Sequence, residues 1–375
     1  MHLSASGLSE TNTPPTRGEM GRTERDTFII GPDDLILVTG AGGFIGSRLV
    51  QRLLDRGFRN LRCFVRPSSD PARVQTLSAH CRDGTRIEVV KGNLLQRDDS
   101  AAAAKDAAII YHFAAGRGEK SFPDAFINSV VTTRNLLEAT LQQKSLKRFV
   151  NISSFTVYTN TKKSRWRLLD ESCPLEEQPE LRGEAYCFAK VKQDEIVTEY
   201  GKRFGTPYVI LRPGFVYGPG NEPITGRVGI GTFGLFLHLG GSNTIPLTYV
   251  DNCAEAIALI GLKEGIDGEV FNVVDDDLPT SRQFLCLYKR QVRRFRSIYI
   301  PHALSYILSF LWERYSAWSH GQLPPAFNRR RWHSNWKKTY YSNAKLKRVG
   351  WTPLVPTREG LRRYFEACRN GGRDA

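Results

Sequence analysis

Tyr186 and Lys190 stand four residues apart in the run Tyr186-Cys187-Phe188-Ala189-Lys190, so on a helix they share one face. A tyrosine with its ordinary pKa near ~10 is a poor base at neutral pH, and a neighbouring ammonium favours the phenolate and brings it toward the working range. The pair suits proton transfer to and from a substrate oxygen, and Lys190 also has the reach for a cofactor ribose. A third group must hold that oxygen. The stretch Asn151-Ile152-Ser153-Ser154-Phe155-Thr156-Val157-Tyr158 supplies hydroxyls at the end of an apolar strand, with Ser154 the first choice and Ser153 its near alternative. Taken alone, a Tyr-x-x-x-Lys spacing is more often a coincidence of a helix face, and its weight comes from what accompanies it.

The companion is Thr39-Gly40-Ala41-Gly42-Gly43-Phe44-Ile45-Gly46, which follows the apolar run Leu35-Ile36-Leu37-Val38. A buried strand that ends in glycines and opens a helix lets backbone amides approach a pyrophosphate, and the helix N-terminus adds a favourable partial charge. Gly40 permits the tight turn, Gly43 the close phosphate approach and Gly46 the packing of helix on strand, with Phe44 and Ile45 in the same loop. At the end of the second strand stands Arg66, in Cys63-Phe64-Val65-Arg66-Pro67. A cation there accommodates a 2′-phosphate and an acid there binds ribose hydroxyls, so NADP(H) is favoured and NAD(H) is the alternative. Asn93 and Leu94 follow the third strand and Ala114 and Ala115 the fourth, again at carboxyl ends where ligands dock. Asn93 could meet the adenine edge and the two alanines let the cofactor run close to the sheet; Pro213 completes the expected set. His112 reads as a packed core residue and is given no catalytic role.

These residues need a doubly wound scaffold, and the pattern from Leu35 onward supplies one: short apolar runs alternating with amphipathic stretches. Strands are expected at 35–38, 61–65, 87–90, 108–112, 148–152, 208–211 and 270–273, and helices at 44–55, 126–142, 185–204 and 250–262. The fold class is α/β, a Rossmann-type parallel sheet with a smaller C-terminal substrate lobe. Residues 1–30 are expected to be a disordered extension and 31–212 the dinucleotide-binding domain, with segments returning near 246–275. Residues 213–375 make most of the substrate lobe.

The chain has 375 residues and a formal net charge of +15, which attracts phosphorylated ligands, nucleic acid or an anionic surface without choosing among them. Its seven cysteines are scattered, with no Cys-x-x-Cys pair, so reduced thiols, a cytoplasmic location and no metal site are expected. Residues 1–26 lack the apolar core of a signal peptide.

At this point the chain is identified as resembling the extended short-chain dehydrogenases/reductases, the NAD-dependent epimerase/dehydratase group. The resemblance runs from about Leu35 to Cys368 and rests on the glycine loop, the Asn151–Tyr158 stretch, Tyr186 with Lys190, Leu211-Arg212-Pro213-Gly214, Tyr249-Val250-Asp251-Asn252 and the ending Gly350-Trp351-Thr352-Pro353. It implies a Ser154-Tyr186-Lys190 site that moves hydride at a carbinol or carbonyl carbon. The chain departs from the family pattern at Ser129, where an asparagine is usual and Asn128 stands one place early, and at Asn93, where an aspartate is common. Phe155-Thr156 replaces the acid pair of the dehydratases. Three functions follow: an NAD(P)-dependent oxidoreductase, a sugar-nucleotide epimerase that retains NAD, and, of another class, a catalytically silent NADP(H)-sensing binding protein. The partner is a small-molecule substrate, with a homodimer as the expected assembly.

Residues 289–340 form a basic and apolar insertion that resembles the corresponding region of 3β-hydroxysteroid dehydrogenase-like members. Cations flank the apolar stretch 298–312, with Trp332 and Trp336 interleaved. Such a stretch is too short to span a bilayer but can lie on an anionic membrane through 289–338, giving a peripheral location; a lid over the substrate is the competing reading. No nucleic-acid motif accompanies the cations.

Overall fold

Each apolar run of the sequence becomes a strand of one parallel sheet: β1 (Ile36–Thr39), β2 (Asn60–Val65), β3 (Arg86–Lys91), β4 (Ile109–His112), β5 (Arg148–Ile152), β7 (Tyr208–Pro213) and β12 (Val270–Val273). The computed structural model describes residues 28–70, 72–79, 84–113, 121–159, 168–221, 225–319 and 328–371; the expectations for residues 1–27 and for Ala114 and Ala115 lie outside them. Residues 28–30, expected in the disordered extension, are ordered instead: Phe28 bridges Lys263 and Ile30 packs in the core, because their apolar side chains find a partner at the end of the helix Val250–Leu262. Strand order is β12-β7-β5-β4-β1-β2-β3, and every neighbouring pair is parallel. The order reverses between β1 and β4, so a crevice opens beyond the carboxyl ends of those strands.

The helices are α1 (Gly46–Asp55), α2 (Ala72–Ala79), α3 (Arg97–Ala104), α4 (Phe122–Ala125), α5 (Thr132–Thr140), α6 (Ala185–Phe204), α7 (Val250–Leu262), α8 (Ser281–Gln291), α9 (His302–Trp318), α10 (Arg329–Trp336), α11 (Ala344–Arg348) and α12 (Thr357–Gly371). Leu49, Val50 and Leu53 of α1 pack with Cys253, Ala256, Ile257 and Ile260 of α7 on one face of the sheet. Ala103 and Ala104 of α3, Leu136 and Leu137 of α5 and Ile196 and Val197 of α6 cover the other. With both faces covered, β1, β4 and β5 are buried at every position, which is why they read as unbroken apolar runs. Helix α3, Arg-Asp-Asp-Ser-Ala-Ala-Ala-Ala, has no apolar stripe to announce it; alanine propensity and the burial of Ser100, Ala103 and Ala104 make it.

The stretch expected as one helix over 126–142 is instead a π-helical segment, Phe126–Val131, followed by α5. One extra residue in the turn rotates everything before it relative to everything after.

The remaining strands are β6 (Leu168–Leu169), β8 (Phe215–Tyr217), β9 (Gly229–Thr232), β10 (Leu235–His238), β11 (Leu247–Tyr249), β13 (Ser297–Tyr299) and β14 (Tyr340–Tyr341). Asn252 at the start of α7 locks the C-terminal ending in place: its Nδ2 donates to Val355 O at 2.8 Å and its Oδ1 accepts from Val355 N at 2.9 Å. Trp351 Nε1 donates to Asn252 O at 3.3 Å. The same Nδ2 donates to Asp275 Oδ1 at 2.9 Å, and burial pushes the Asp275 carboxyl up to about 6. Two motifs a hundred residues apart are thus one structural joint.

Between β1 and α1 the backbone doubles back on itself. Gly40 adopts φ +70°, its N–H donates to Phe64 O at 3.0 Å, and its carbonyl accepts from Gly43 N at 3.0 Å. A Cβ on Gly46 would lie 2.3 Å from that Gly40 oxygen and 3.0 Å from its carbon. The neighbour is backbone held at both ends, so it cannot swing aside. Gly46→Ala is therefore expected to cost about 1–3 kcal/mol of stability through overpacking, read as a lowered midpoint in urea, with weakened dinucleotide binding in the same variant. A midpoint unchanged from wild type would mean the loop has room that this geometry denies.

Candidate active site

A cleft of about 670 Å³ opens at the carboxyl end of the sheet. Gly40, Gly43, Phe44, Ile45, Gly46, Arg66, Asn93, Leu94, Ser154, Tyr186, Lys190 and Pro213 all line it. Every residue the sequence suggested, Ala114 and Ala115 aside, is therefore brought to one cavity. Sequence reasoning missed Arg73 and Asp70, which line it too, and gave no role to Asn128, which the sequence placed one position before the family's asparagine. Arg73 lies on α2, a helix in which Val74 is the only described residue that is fully buried, so no periodicity pointed to it.

Helix α6 begins at Ala185, placing Tyr186 and Lys190 on its first turns and on one side. Tyr186 is 43% exposed toward the cleft, whereas Lys190 is 4% exposed. Lys190 Nζ donates to Ile152 O at 2.7 Å and to Gln193 Oε1 at 2.8 Å. Gln193 Nε2 passes the chain on to Thr133 Oγ1 at 2.8 Å, and Thr133 spends its single hydroxyl proton on Ser129 O at 2.6 Å. The 2.9 Å contact between Thr133 Oγ1 and His112 Nε2 must then be donated by the imidazole. On its other side His112 Nδ1 lies 3.0 Å from Thr39 Oγ1, which donates to it. His112 is thus the neutral Nε2–H tautomer with its lone pair already used. Burial, then the nearby Lys190 ammonium, lowers its pKa to about 3. It is a core residue, as the sequence suggested, and it holds the ammonium's supports in line.

Ser154 precedes the short 3₁₀ turn Phe155–Val157, and its Oγ accepts from Thr156 N at 3.2 Å. Ser153 is buried beside it and also lines the cleft. The two positions where dehydratases of the resembled group carry acids are otherwise engaged. Phe155 stacks on Tyr341 with ring centroids 5.5 Å apart, and Thr156 accepts from Arg182 through its carbonyl at 2.5 Å and its hydroxyl at 3.2 Å. Asp70 is the sole carboxylate among the described cleft-lining residues, and its Oδ1 accepts from Ala72 N at 2.8 Å.

The π-helical segment accounts for the displaced asparagine. Ser129, at the position where the family pattern has Asn, is buried, and Asn128 lines the cleft in its stead, its Nδ2 donating to Asp124 O and Oδ1 at 3.0 Å each.

Beneath the cleft floor lies a buried polar network. Arg212 Nε and Nη2 both reach Asp194 Oδ2 at 3.1 Å, and Asn151 Nδ2 donates to Asp194 Oδ1 at 3.0 Å. Arg212 Nη1 donates to Tyr158 Oη at 3.0 Å, which donates in turn to Asn272 Oδ1 at 2.8 Å.

The sequence profile of the NAD dependent epimerase/dehydratase family matches residues 36–273. The chain belongs to that family. All of the strands of the parallel sheet and the whole Ser154-Tyr186-Lys190 constellation fall inside the match. A trifunctional UDP-glucose 4,6-dehydratase/UDP-4-keto-6-deoxy-D-glucose 3,5-epimerase/UDP-4-keto-L-rhamnose-reductase of Arabidopsis thaliana is 26% identical over 342 residues, 88% of this chain and 46% of its own length. Cinnamoyl-CoA reductase 1 of Oryza sativa subsp. japonica is 30% identical over 191 residues, 50% of this chain and 55% of its own. The chain thus spans about half the length of these curated relatives. Among solved structures, the UDP-glucuronic acid 4-epimerase of Bacillus cereus in complex with NAD superposes with a TM-score of 0.66 at 22% identity, covering 90% of this chain and 99% of that one. This likeness is one of fold.

The neutral state of His112 has a measurable cost. From its ordinary value of 6.5 down to about 3 the unfolded chain binds a proton that the folded chain refuses, so the stability His112 permits is complete above pH 6.5 and is lost as acid is added. The slope approaches about 1.4 kcal/mol per pH unit. His112→Gln keeps a donor for Thr133 and an acceptor for Thr39 without titrating. Urea unfolding across this window should show a shallower acid decline in the variant, and parallel profiles would refute the assignment.

Proposed function

We propose that the chain is an NAD(P)-dependent oxidoreductase that interconverts a carbinol and a carbonyl, with NADP(H) preferred, Tyr186 as acid/base, Lys190 as its charged partner and Ser154 as the hydroxyl that orients the substrate oxygen. The observation that carries this reading is that one cleft gathers the glycine loop, Arg66 and all three of these side chains.

The residues present fit a dinucleotide. Ile45 at the N-terminus of α1 offers no side-chain cap, and the first turn of α1 holds no acid, which leaves its orphan amides suited to phosphate oxygens. The Gly40–Gly46 approach removes the bulk that would block them. When bound, the nicotinamide supplies the hydride acceptor or donor. The chain's own groups do the rest. Tyr186 Oη gives a proton to, or takes one from, the substrate oxygen. Ser154 Oγ hydrogen-bonds the same oxygen and fixes its direction. The Lys190 ammonium, anchored by Ile152 O and Gln193, favours the phenolate form of Tyr186 and presents a donor toward the ribose. The body that binds the cofactor is read as 31–212 with returning segments near 246–275, and 213–375 as most of the substrate lobe.

Two cations, Arg66 at the end of β2 and Arg73 on α2, line the adenosine end and support the NADP(H) preference, while Asp70 is held by the backbone of its own turn. A guanidinium bond to phosphate contributes about 1.5–3 kcal/mol, so Arg66→Ala should reduce the preference for NADPH over NADH by about tenfold or more in fluorescence titrations. A wild-type chain that binds NADH more tightly would remove the preference outright.

Tyr186→Phe keeps the ring and deletes the proton. Turnover is expected to fall by orders of magnitude with cofactor Kd within a few fold, measured as NADPH oxidation against a panel of ketones and aldehydes. Near-normal turnover in that variant would end the mechanism. The nucleotide that co-purifies, identified by mass, separates this reading from an epimerase, which retains NAD.

A further inference from the structure

Helix α9 is built inside out. Its buried positions are Ser305, Ser309 and Ser316, while Leu304, Ile307, Leu308, Leu311, Tyr315 and Trp318 face solvent at helical spacing. Trp318 is 73% exposed and Leu311 54%. The serines are satisfied against the protein: Ser305 Oγ accepts from Trp332 Nε1 of α10 at 3.0 Å, and Ser309 Oγ donates back to Ser305 O at 3.0 Å. A surface helix of a water-facing domain turns its apolar stripe to the core, and this one turns it away. None of the described residues lining the cleft comes from 289–338, so the outer stripe of α9 does not close over that cavity.

A second observation points the same way. The β9–β10 hairpin turns at Phe233 and Gly234, with φ +45° and +72°, a geometry for which glycine and asparagine are the usual residues. Phe233 is wholly exposed. A large aromatic thus bears backbone strain at a tip where it packs on nothing. Strand β10 runs parallel to β13, and Phe236 N donates to Arg296 O at 3.1 Å, so the tip stands beside the cations that precede β13. Ile298 and Tyr299 of β13 are exposed as well.

We propose that the outer stripe of α9 seats the protein in the plane of an anionic lipid bilayer, with the exposed Phe233 tip as a second apolar contact. Residues 289–338 hold eleven lysines and arginines, of which Arg330 and Arg331 pair with Glu176 and Glu184 of the body, against a single acid, Glu313. That acid is taken by Arg329 at 2.5 Å, and Arg314 sits exposed within the apolar stripe itself. Cations bordering leucine, isoleucine and tryptophan suit a headgroup layer with acyl chains beneath. A second copy meeting the same face would bring like charges together, and a nucleic acid would leave the stripe unburied. No helix among the described residues is long and apolar enough to cross a membrane, so the attachment lies on the surface. It is independent of the reaction assigned above.

The test is sedimentation of the full chain with vesicles of phosphatidylglycerol and phosphatidylcholine in equal parts, and with phosphatidylcholine alone, at low and high salt. Binding to the anionic vesicles at least about tenfold tighter than to the neutral ones, weakened by salt, is the expected result. The double variant Ile307→Asn, Leu311→Asn should lose that binding while its melting temperature and NADPH affinity stay at wild-type values. Phe233→Asn relieves the turn, so it should bind vesicles more weakly while melting no lower than wild type. Equal recovery in the supernatant with both lipids would overturn the proposal. So would binding that survives both variants but vanishes on deletion of residues 1–27, or a wild-type dimer that the double variant converts to monomer without any lipid affinity to lose.

Discussion

Arg212 and Asp194 meet with almost no solvent between them, and the elements that bear the cleft's chemistry are each tied to that pair. Asp194 belongs to α6, the helix of Tyr186 and Lys190. Arg212 lies on β7, one residue before Pro213. Asn151 comes from β5, whose next turn carries Ser153 and Ser154, and Tyr158 closes that turn and reaches Asn272 on β12. A buried ion pair is a weak source of net stability, because two desolvated charges cost nearly what their attraction returns, but removing one member leaves the other stranded at about 3–5 kcal/mol. Its effect here is geometric. Three strand ends and a helix can be assembled in only one register if Arg212 is to find all of its acceptors, and that register puts a phenol, an ammonium and a hydroxyl on one cavity wall.

A second layer of polar contacts fixes the ammonium itself. Lys190 has an acceptor on β5 and another one helical turn along, and the chain through Gln193, Thr133 and His112 runs to Thr39 at the end of β1. That last threonine adjoins Gly40. The glycine loop and the tyrosine helix, separated by well over a hundred residues in sequence, therefore share a continuous hydrogen-bonded path. Its members are neutral apart from Lys190, whose charge is felt by buried His112 and Asp194 as well as in the cleft.

The sheet was legible because its strands are buried on both faces and read as apolar runs whatever their neighbours, so the seven expected strands agree with the observed ones to within two residues at either end. The site was legible where a residue's type is dictated by close approach, as at Gly40 and Gly46, or by chemistry, as at Tyr186 and Lys190. What escaped has a physical reason in each case. Among their described residues, helices α2 and α3 bury two alanines, a serine and a single valine, too little for a periodic signal, and Arg73 went with them. The π-helical turn at Phe126–Val131 leaves no mark on composition, yet it exchanges Ser129 for Asn128 at the cavity wall. In α9 the apolar stretch was visible over 298–312, but composition alone does not say which way its side chains face, and the buried serines decide that.

The insertion is not an appendage to the site. Arg331 of α10 pairs with Glu184 at 3.0 Å, and Arg182 meets the other oxygen of Glu184 at 2.6 Å; Glu184 is the N-cap residue of α6, two places before Tyr186. Arg182 also holds Thr156, and Arg330 reaches Glu176 at 3.0 Å. Asn328 Nδ2 donates to Arg182 O at 2.9 Å, so α10 is bonded to the 3₁₀ turn Pro179–Arg182 that precedes α6. On its other side α10 carries α9 through Trp332, Ser305 and Tyr306. Charge-assisted contacts thus tie α10, and through it α9, to the start of α6 and to the Ser154–Thr156 turn. The apolar stripe of α9 and the Tyr186 helix lie on different segments of the chain, yet one run of contacts through α10 joins them.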